Sequence, residues 1–310
     1  MTKLSAMRDA KVQICILTYK RPALLEAALK SVCDQQFTDQ PRPQLSVLVV
    51  DNDDMQSGRE AFEKVYGVNH PAARYVVATP KGIAHARNRA LDESVHADFI
   101  VFLDDDEWAS PLWLQALLNT QRRFDADVVT GPVIPVLEHA PEWLIRSYKS
   151  CQYGCQTYET GAPIKFLGNG NTLVRMSVTR DVRFDRRFDH TGLEDADYFL
   201  RLRGRGARIV FAKEAKAYEA VPEHRATAQW LLQRGRWRTN AYTNLCLCRD
   251  PGITTIAARL LKAAAAFTVG VVLLPTAVAG KYQAIRALHW IYRAAGTVDA
   301  LRGKVYYHQM

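Results

Sequence analysis

The chain has 310 residues, of which 48% are hydrophobic, 24% charged and 10% aromatic, with 41 lysines and arginines against 32 aspartates and glutamates. This length allows one large or two medium domains around an ample core, and the composition excludes both wholesale disorder and a small disulfide-stapled fold. Residues 1–11 contain no apolar run long enough for a signal peptide, so the sequence predicts that the folded part stays in the cytoplasm.

The positive charge is concentrated in the C-terminal part of the chain. From Arg225 onward there are twelve basic residues and only two acidic ones, Asp250 and Asp299, so the preceding part is nearly neutral. Basic residues beside an apolar run favour an anionic membrane surface as the partner. Nucleic acid is the alternative partner of a basic chain, but the sequence contains no zinc finger or RNP motif. We therefore predict membrane association and no nucleic-acid binding.

Short apolar, β-branched runs alternate with helical patterns over the first 131 residues. Predicted strands cover residues 12–17, 45–50, 74–78, 99–103 and 126–131, and predicted helices begin at Pro22 and cover residues 83–93 and 111–124. Strands that alternate with helices of this length are typical of a mostly parallel sheet with right-handed crossovers, so the predicted fold class is α/β. Farther along, the sequence predicts a helix over 194–203, a strand over 208–212 and a long helix over 226–247.

Three consecutive carboxylates, Asp104, Asp105 and Asp106, directly follow the predicted strand over 99–103. In a parallel sheet, the carboxyl ends of the strands border the crevice where ligands bind. Adjacent carboxylates repel one another unless a cation neutralises them, and Asp104 and Asp106 can face the same way, which suits a hard divalent ion that also binds a diphosphate. A solvated acidic turn, or a helix N-cap before Pro111, is the alternative interpretation.

Three further segments place polar side chains where chemistry could occur. Asp51 follows a predicted strand and could accept a hydrogen bond from a base or a ribose hydroxyl, or form a plain Asx turn. Arg87 lies near the start of a predicted helix, and such a start is an anion site. Asp195 lies at another helix start, where the dipole keeps it ionised as a general base requires, although simple charge complementarity gives the same pattern. No P-loop, GxGxxG or GxSxG motif supports another chemistry.

Residues 263–280 form a run of 18 uncharged residues, interrupted by Pro275 and bounded by Lys262 and Lys281. As a straight helix, such a run is roughly 27 Å long, close to the minimum for crossing a bilayer. The pattern allows a membrane-spanning helix, an interfacial or re-entrant helix, or a buried core helix, and we favour the interfacial arrangement. The sequence thus predicts a first domain over residues 1–250 and a basic, partly apolar, membrane-associating helical segment over 251–310.

Six motifs occur in the order and spacing of a known family. They cover residues 14–21, 50–52, 82–88, 102–107, 168–171 and 194–195. Over about residues 11–245, the chain resembles family 2 glycosyltransferases of the GT-A fold. It resembles more closely the bacterial exopolysaccharide enzymes of the succinoglycan-assembly kind, in which a stretch like residues 221–225 also follows the Glu-Asp motif. The resemblance implies a Rossmann-like, mostly parallel central sheet with flanking helices.

The resemblance also implies which residues bind the nucleotide. Asp51 matches the family's base-binding Asp, and Thr18 and Arg21 lie in the matching first loop beside the nucleotide. Arg87 matches an Arg near the base and the diphosphate.

The metal and catalytic positions follow from the same resemblance. Asp104 and Asp106 match the DxD pair that holds the nucleotide sugar through Mn²⁺ or Mg²⁺, with Asp106 favoured as the direct metal ligand. Asp195 matches the base that deprotonates the acceptor hydroxyl in a single inverting displacement. In such enzymes, the metal and the Arg stabilise the leaving nucleoside diphosphate.

One motif points toward a different branch of the family. Gln233, Arg236 and Trp237 reproduce the Q-x-x-R-W motif of its processive polymerases. Those enzymes have several transmembrane helices, whereas this chain offers one apolar run. We therefore expect one sugar to be added per acceptor, and we assign these three residues no role.

The expected function is a metal-dependent hexosyltransferase of extracellular or surface polysaccharide biosynthesis. A UDP-sugar is the expected donor and a lipid-linked saccharide the expected acceptor, at the cytoplasmic side of the inner membrane. A catalytically silent scaffold subunit of a polysaccharide assembly complex and a sugar nucleotidyltransferase are the alternatives. The latter should have a Gly-rich first loop, and residues 18–22 contain no glycine.

Overall fold

The computed structural model describes residues 10–38, 42–151, 158–164, 168, 170–189 and 191–306. The chain divides into two units. The first contains the described residues up to Ile134, those between 156 and 189, and Glu194–Glu219; the second contains the described residues of Pro135–Cys155, residues 191–193, and those from Ala220 onward. The expected division at residue 250 stays a prediction.

The first unit is built on a seven-stranded sheet with the order β3-β2-β1-β4-β8-β6-β9. The strands in chain order are β1 (Lys11–Thr18), β2 (Gln44–Asp51), β3 (Ala73–Val77), β4 (Phe99–Asp104), β5 (Glu107–Ala109), β6 (Val128–Thr130), β7 (Val133–Val136), β8 (Thr172–Arg175), β9 (Ile209–Phe211) and β10 (Ala217–Ala220). Strands β5, β10 and β7 form a second sheet in that order.

The central sheet is mostly parallel, as the sequence predicts. Strand β1 pairs in parallel with β2 and β4, as do β2 with β3 and β6 with β9. Strand β8 lies antiparallel between β4 and β6; the sequence analysis did not predict this strand. Strand β1 is buried on both faces, with Ile14 and Ile16 in one apolar cluster and Cys15 in another, which is why it reads as a continuous apolar run.

The helices in chain order are α1 (Pro22–Cys33), α2 (Arg59–Tyr66), α3 (Ile83–Glu93), α4 (Trp113–Phe124), α5 (Glu142–Ser150), α6 (Glu194–Gly204), α7 (Ala228–Arg249), α8 (Ile253–Leu273) and α9 (Lys281–Leu301). Helix α1 begins at Pro22, as predicted, because proline suits the first helical position. The predicted bounds of α3 are also those of the structure. Helix α4 begins two residues later than predicted, since the Trp113 N–H closes a turn on the Ser110 carbonyl at 3.0 Å.

In the second unit, α9 packs against α7, and their backbones approach closely. A Cβ added to Gly296 would lie 2.1 Å from the Arg236 carbonyl oxygen. The Arg236 guanidinium pairs with Asp299 of α9, with Nη2 2.6 Å from Oδ2. The arginine of the Q-x-x-R-W match therefore links α7 to α9 in this chain.

Helix α8 carries the apolar run, and most of it is not covered by protein. Among the described residues, one stretch, Ile253–Ala279, is long and apolar enough to cross a membrane, and only 11% of its most apolar window is buried. Pro275 lies in the short 3₁₀ turn Leu274–Ala279 that follows α8. The buried-core interpretation of this run is therefore wrong, and the interfacial and spanning interpretations remain.

Candidate active site

The register of the central sheet places three predicted site residues at one edge. Thr18 ends β1 opposite Asp51, the last residue of β2. Asp104 ends β4 opposite Leu17 of β1. Because these strands run parallel, their carboxyl ends meet, as expected for the ligand-binding edge of an α/β sheet.

The acidic run after β4 is held by the loop after β1. The Thr18 hydroxyl donates to Asp105 Oδ2 at 2.8 Å. Arg21 Nη1 lies 3.3 Å from both Asp105 Oδ1 and Asp106 Oδ2. Asp105, the middle carboxylate, is thus buried among protein partners, whereas the Asp104 side chain is 43% exposed at the edge.

Crowding of negative charge marks this edge as suited to a cation. Enclosure by protein atoms raises the pKa of Asp104 above its ordinary value; Arg87 opposes this shift, and repulsion from Asp106 and Asp105 adds to it. Burial and Asp106 raise the pKa of Asp105 to about 6. Buried Glu107 lies beside them, and burial together with Asp104 raises its pKa well above the ordinary value. A divalent ion would relieve this repulsion.

The donor atoms available for that ion are carboxylate oxygens, which Mg²⁺ and Mn²⁺ prefer. Within the described ranges, no group of three or more His, Cys, Asp or Glu side chains is arranged to hold a metal. Asp104 and Asp106 could supply two ligands, and a diphosphate and water would have to supply the others. The residues present therefore fit a metal that is bound together with a nucleotide.

Arg87 is the central cation of the site, and it is buried. Its guanidinium forms an ion pair with Glu194, and both side chains are about 5% exposed or less. Arg87 Nη2 also lies 4.0 Å from Asp104 Oδ1. Burial alone would lower the pKa of Arg87, but Glu194, Asp195 and Asp104 outweigh it and raise that pKa. Arg87 stays charged and links the β4 end to the α6 start.

Glu194 is the site residue that the sequence analysis missed. Burial raises the pKa of its carboxyl to about 7, although Arg87 opposes the shift. The sequence feature that could have identified Glu194 is its position directly before Asp195 in the Glu-Asp motif. The pairing itself joins positions 107 residues apart and could not be inferred from local sequence.

Asp195 lies in the first turn of α6, as predicted, and its side chain is only partly buried. Its Oδ1 accepts a hydrogen bond from the Ala196 N–H at 2.6 Å. A Cβ added to Gly168 would lie 3.4 Å from Asp195 Oδ2, and one added to Gly170 would lie 3.0 Å from Asp104 Oδ2. Gly170 thus lets the backbone pass close to the carboxylates of Glu107 and Asp104, whereas Gly168 has room for a Cβ; Asn169 lies outside the described residues.

Asn171, the last residue of that motif, is a buried structural residue. Its side chain donates to the carbonyls of Pro132 at 2.9 Å and Ala215 at 2.7 Å. It also accepts a hydrogen bond from Trp113 Nε1 at 2.6 Å. Its backbone has φ +51°, a conformation that asparagine tolerates better than most residues.

Asp51 lies at the same sheet edge, but its carboxylate forms hydrogen bonds within the protein. Its carboxylate accepts hydrogen bonds from the N–H groups of Asp53 at 2.9 Å and Gly58 at 2.8 Å, and from the Tyr75 hydroxyl. The side chain is fully buried. Three acceptor positions of the carboxylate are thus used inside the protein, and its base-binding role stays a prediction.

The start of α3 is closed by another carboxylate. Asp189 Oδ1 accepts hydrogen bonds from the N–H groups of Ala84 at 2.7 Å and His85 at 3.3 Å. A Cβ added to Gly82 would lie 2.6 Å from the Asp189 carboxylate. The interpretation of this helix start as an open anion site is therefore wrong, because a protein anion already occupies it.

Comparisons with known proteins identify the family of this chain. Residues 13–183 match the family described as glycosyl transferase family 2, and residues 99–297 match glycosyl transferase family group 2. The chain is 31% identical to the succinoglycan biosynthesis protein ExoM of Rhizobium meliloti (strain 1021), covering 94% of this chain and 93% of that protein. It is 25% identical to a glucosyl-dolichyl phosphate glucuronosyltransferase of Haloferax volcanii, and the match covers 74% of this chain and 75% of that protein.

Solved structures share the fold. The mannosyltransferase PcManGT of Pyrobaculum calidifontis, in complex with GDP-Man and Mn²⁺, matches with a TM-score of 0.59 at 22% identity over 94% of this chain and 87% of that one. Residues 1–349 of S. aureus TarS, in complex with UDP-GlcNAc, match with a TM-score of 0.55 at 15% identity. This match covers 96% of this chain and 93% of that one. The α/β fold is that of the GT-A glycosyltransferases, and the chain belongs to glycosyltransferase family 2.

Proposed function

We propose that this protein transfers one sugar, with inversion, from a UDP-sugar to a lipid-linked saccharide at the cytoplasmic face of the membrane. One observation supports the proposal: the buried Arg87 lies 4.0 Å from Asp104, and the charges of both Asp104 and Asp195 act on it. The UDP-GlcNAc complex of TarS supports a UDP-sugar, and the GDP-Man complex supports a nucleotide sugar more generally. The succinoglycan relative and the exposed helix α8 support a membrane-bound acceptor.

The chemistry assigned to this chain is a single displacement. Asp195 accepts the proton of an acceptor hydroxyl while that oxygen forms a bond to the anomeric carbon and the bond from that carbon to the diphosphate breaks. Asp104 and Asp106 would hold Mn²⁺ or Mg²⁺, which would stabilise the charge of the leaving diphosphate. Arg87, fixed by Glu194, keeps a positive charge beside Asp104. Arg21 orients Asp105 and Asp106.

Titration calorimetry with UDP, GDP and their sugar conjugates, with and without Mn²⁺, tests the donor half of the proposal. We expect Mn²⁺-dependent binding of UDP and its loss in Asp104→Ala/Asp106→Ala. The matched control is Asp34→Ala/Asp181→Ala, which removes two exposed aspartates outside the sheet edge and should bind as the native protein does. If the folded native protein binds no nucleotide, the transferase proposal fails and the scaffold alternative is preferred.

A further inference from the structure

A cavity in the second unit combines positive charge with aromatic surface. It has a volume of about 450 Å³ and lies between the end of α5 and one face of α9. Its lining includes Arg286, Arg293, Tyr282 and Trp290, and no lining residue is acidic. Because Arg286 and Arg293 are two helical turns apart, their Cα atoms are separated by roughly 10 Å along the helix axis. The cavity is therefore large enough for a phosphate-bearing headgroup.

The two arginines of this cavity have no counter-charge of their own. In the part of the chain that the structure describes, neither Arg286 nor Arg293 forms an ion pair, whereas Arg21 and Arg87 of the candidate active site are each paired with a carboxylate. Arg293 lies over the Trp290 ring, 4.7 Å from its centroid, which holds the guanidinium in a defined orientation. A planar guanidinium so placed recognises phosphate through paired hydrogen bonds.

The surroundings of the cavity are also positive. Arg146 lies over the Tyr282 ring at 4.6 Å, and Lys281 lies over the Trp143 ring at 5.3 Å. Burial, and then Arg293 and Arg238, lower the pKa of the cavity residue His289 to about 4, so its imidazole is neutral at pH 7. Arg293 and Arg238, which contribute to that shift, are positive charges that would attract an anion to the cavity.

The helix that packs beside α9 adds an apolar surface. A Cβ added to Gly270 of α8 would lie 2.6 Å from Ile291 of α9, so the two helices are in close contact. Elsewhere α8 exposes large apolar side chains, among them Leu261 and Val272, each about 70% exposed. One ligand chemistry satisfies both features: an anionic phosphate attached to hydrocarbon.

We infer that the α5–α9 cavity binds the phosphate group of a membrane lipid, with Arg286 and Arg293 as the phosphate ligands and the exposed apolar side chains of α8 in contact with the same membrane. This site is separate from the donor chemistry of the proposed function. A protein without transferase activity would still show it, so the two proposals can fail independently.

Co-sedimentation of the full chain with vesicles tests this inference. The vesicles are phosphatidylcholine with or without 30 mol% phosphatidylglycerol, at about 0.15 M salt so that long-range attraction is screened. We expect Arg286→Gln/Arg293→Gln to bind the anionic vesicles about tenfold or more weakly than the native protein. The control Arg205→Gln/Arg302→Gln removes the same charge from two exposed positions outside the cavity and should bind nearly as the native protein does.

A second variant separates a built site from general attraction and from misfolding. Arg286→Lys/Arg293→Lys keeps the net charge but lacks the planar fork, so we expect a several-fold loss of binding with an unchanged melting temperature. Native-like binding by this variant, or equal binding by the cavity variant and the control, would overturn the inference. Binding of inorganic pyrophosphate without vesicles that is lost in Arg286→Gln/Arg293→Gln, with equal vesicle binding by both glutamine variants, would instead assign the cavity to a soluble anion and overturn the lipid assignment.

Discussion

At the scale of single residues, the active site depends on one buried ion pair. Arg87 and Glu194 are both almost completely buried, and their contact joins α3 to the start of α6. Removing one partner of such a pair leaves an uncompensated charge in a medium of low polarity, which is strongly destabilising. We therefore propose that Glu194 positions Arg87 and does not act on the substrate itself.

We expect Glu194→Gln to lower the free energy of unfolding by about 3 kcal/mol, because Arg87 loses its counter-charge. The double variant Arg87→Gln/Glu194→Gln should recover part of that loss, since no buried charge remains. Urea unfolding followed by circular dichroism measures both effects. Glu223→Gln, at an exposed position, is the control, and a Glu194→Gln effect as small as the control's would show that the pair contributes little.

We expect Asp195→Asn to abolish sugar transfer while donor binding is retained, because the amide cannot accept the acceptor's proton. Product formation with a radiolabelled nucleotide sugar reports transfer, and calorimetry with the donor reports binding. A variant that still transfers sugar would exclude Asp195 as the base. A variant that loses donor binding would show that Asp195 acts on the donor instead.

Asn171 illustrates a motif residue with a structural task. Its side chain satisfies two carbonyls and one indole N–H in the core, so Asn171→Ala should cost about 2–4 kcal/mol of unfolding free energy. Denaturant unfolding measures this cost against Asn69→Ala, a change at an exposed asparagine that should alter stability by less than about 0.5 kcal/mol. Similar stability of the two variants would contradict the structural role.

At the scale of elements, α8 is the helix that connects the structure to the predicted membrane association. Its exposed apolar side chains would contact water unless a lipid interface or another surface covers them. Lys262 and Lys281 bound the run on both sides, and cations at such positions suit an anionic lipid surface.

We expect Leu261→Asp/Val272→Asp to shift the protein from the membrane pellet to the soluble fraction, because two carboxylates weaken both apolar insertion and attraction to anionic lipid. The matched control is Val68→Asp/Val95→Asp, which makes the same changes at two exposed valines outside α8. Fractionation of lysates by ultracentrifugation gives the readout. Continued sedimentation of the α8 variant would exclude α8 as the membrane contact.

At the scale of the whole molecule, the C-terminal helices cannot be treated as a removable anchor. Deletion after residue 250 would remove α9, whose Asp299 pairs with Arg236 of α7 and whose Gly296 packs on the Arg236 backbone. Such a deletion would expose the face of α7 that α9 covers. A change in sedimentation could then result from misfolding as well as from loss of membrane contact. Point substitutions in α8 are for this reason the sharper test.

Local sequence determined most of the elements and the order of the motifs. Helices α1 and α3 begin where predicted, and the α/β class followed from the alternation of buried strands and amphipathic helices. These features depend on residues only a few positions apart, so they can be predicted from the periodic pattern of apolar residues. Helix α2, with eight residues, and the antiparallel strand β8, with four, were missed because so few positions make a weak pattern.

Tertiary structure decided what the polar residues do. The amino-acid sequence predicted Asp51, Arg87 and the start of α3 to lie near a ligand. In the fold, Asp51 accepts three internal hydrogen bonds, Arg87 pairs with Glu194 and Asp189 caps α3. Likewise, the apolar run was evident from composition, whereas its exposure depends on which helices pack against it. Hydrogen bonds and burial depend on groups that lie far apart along the chain, and only the folded arrangement determines which of them meet.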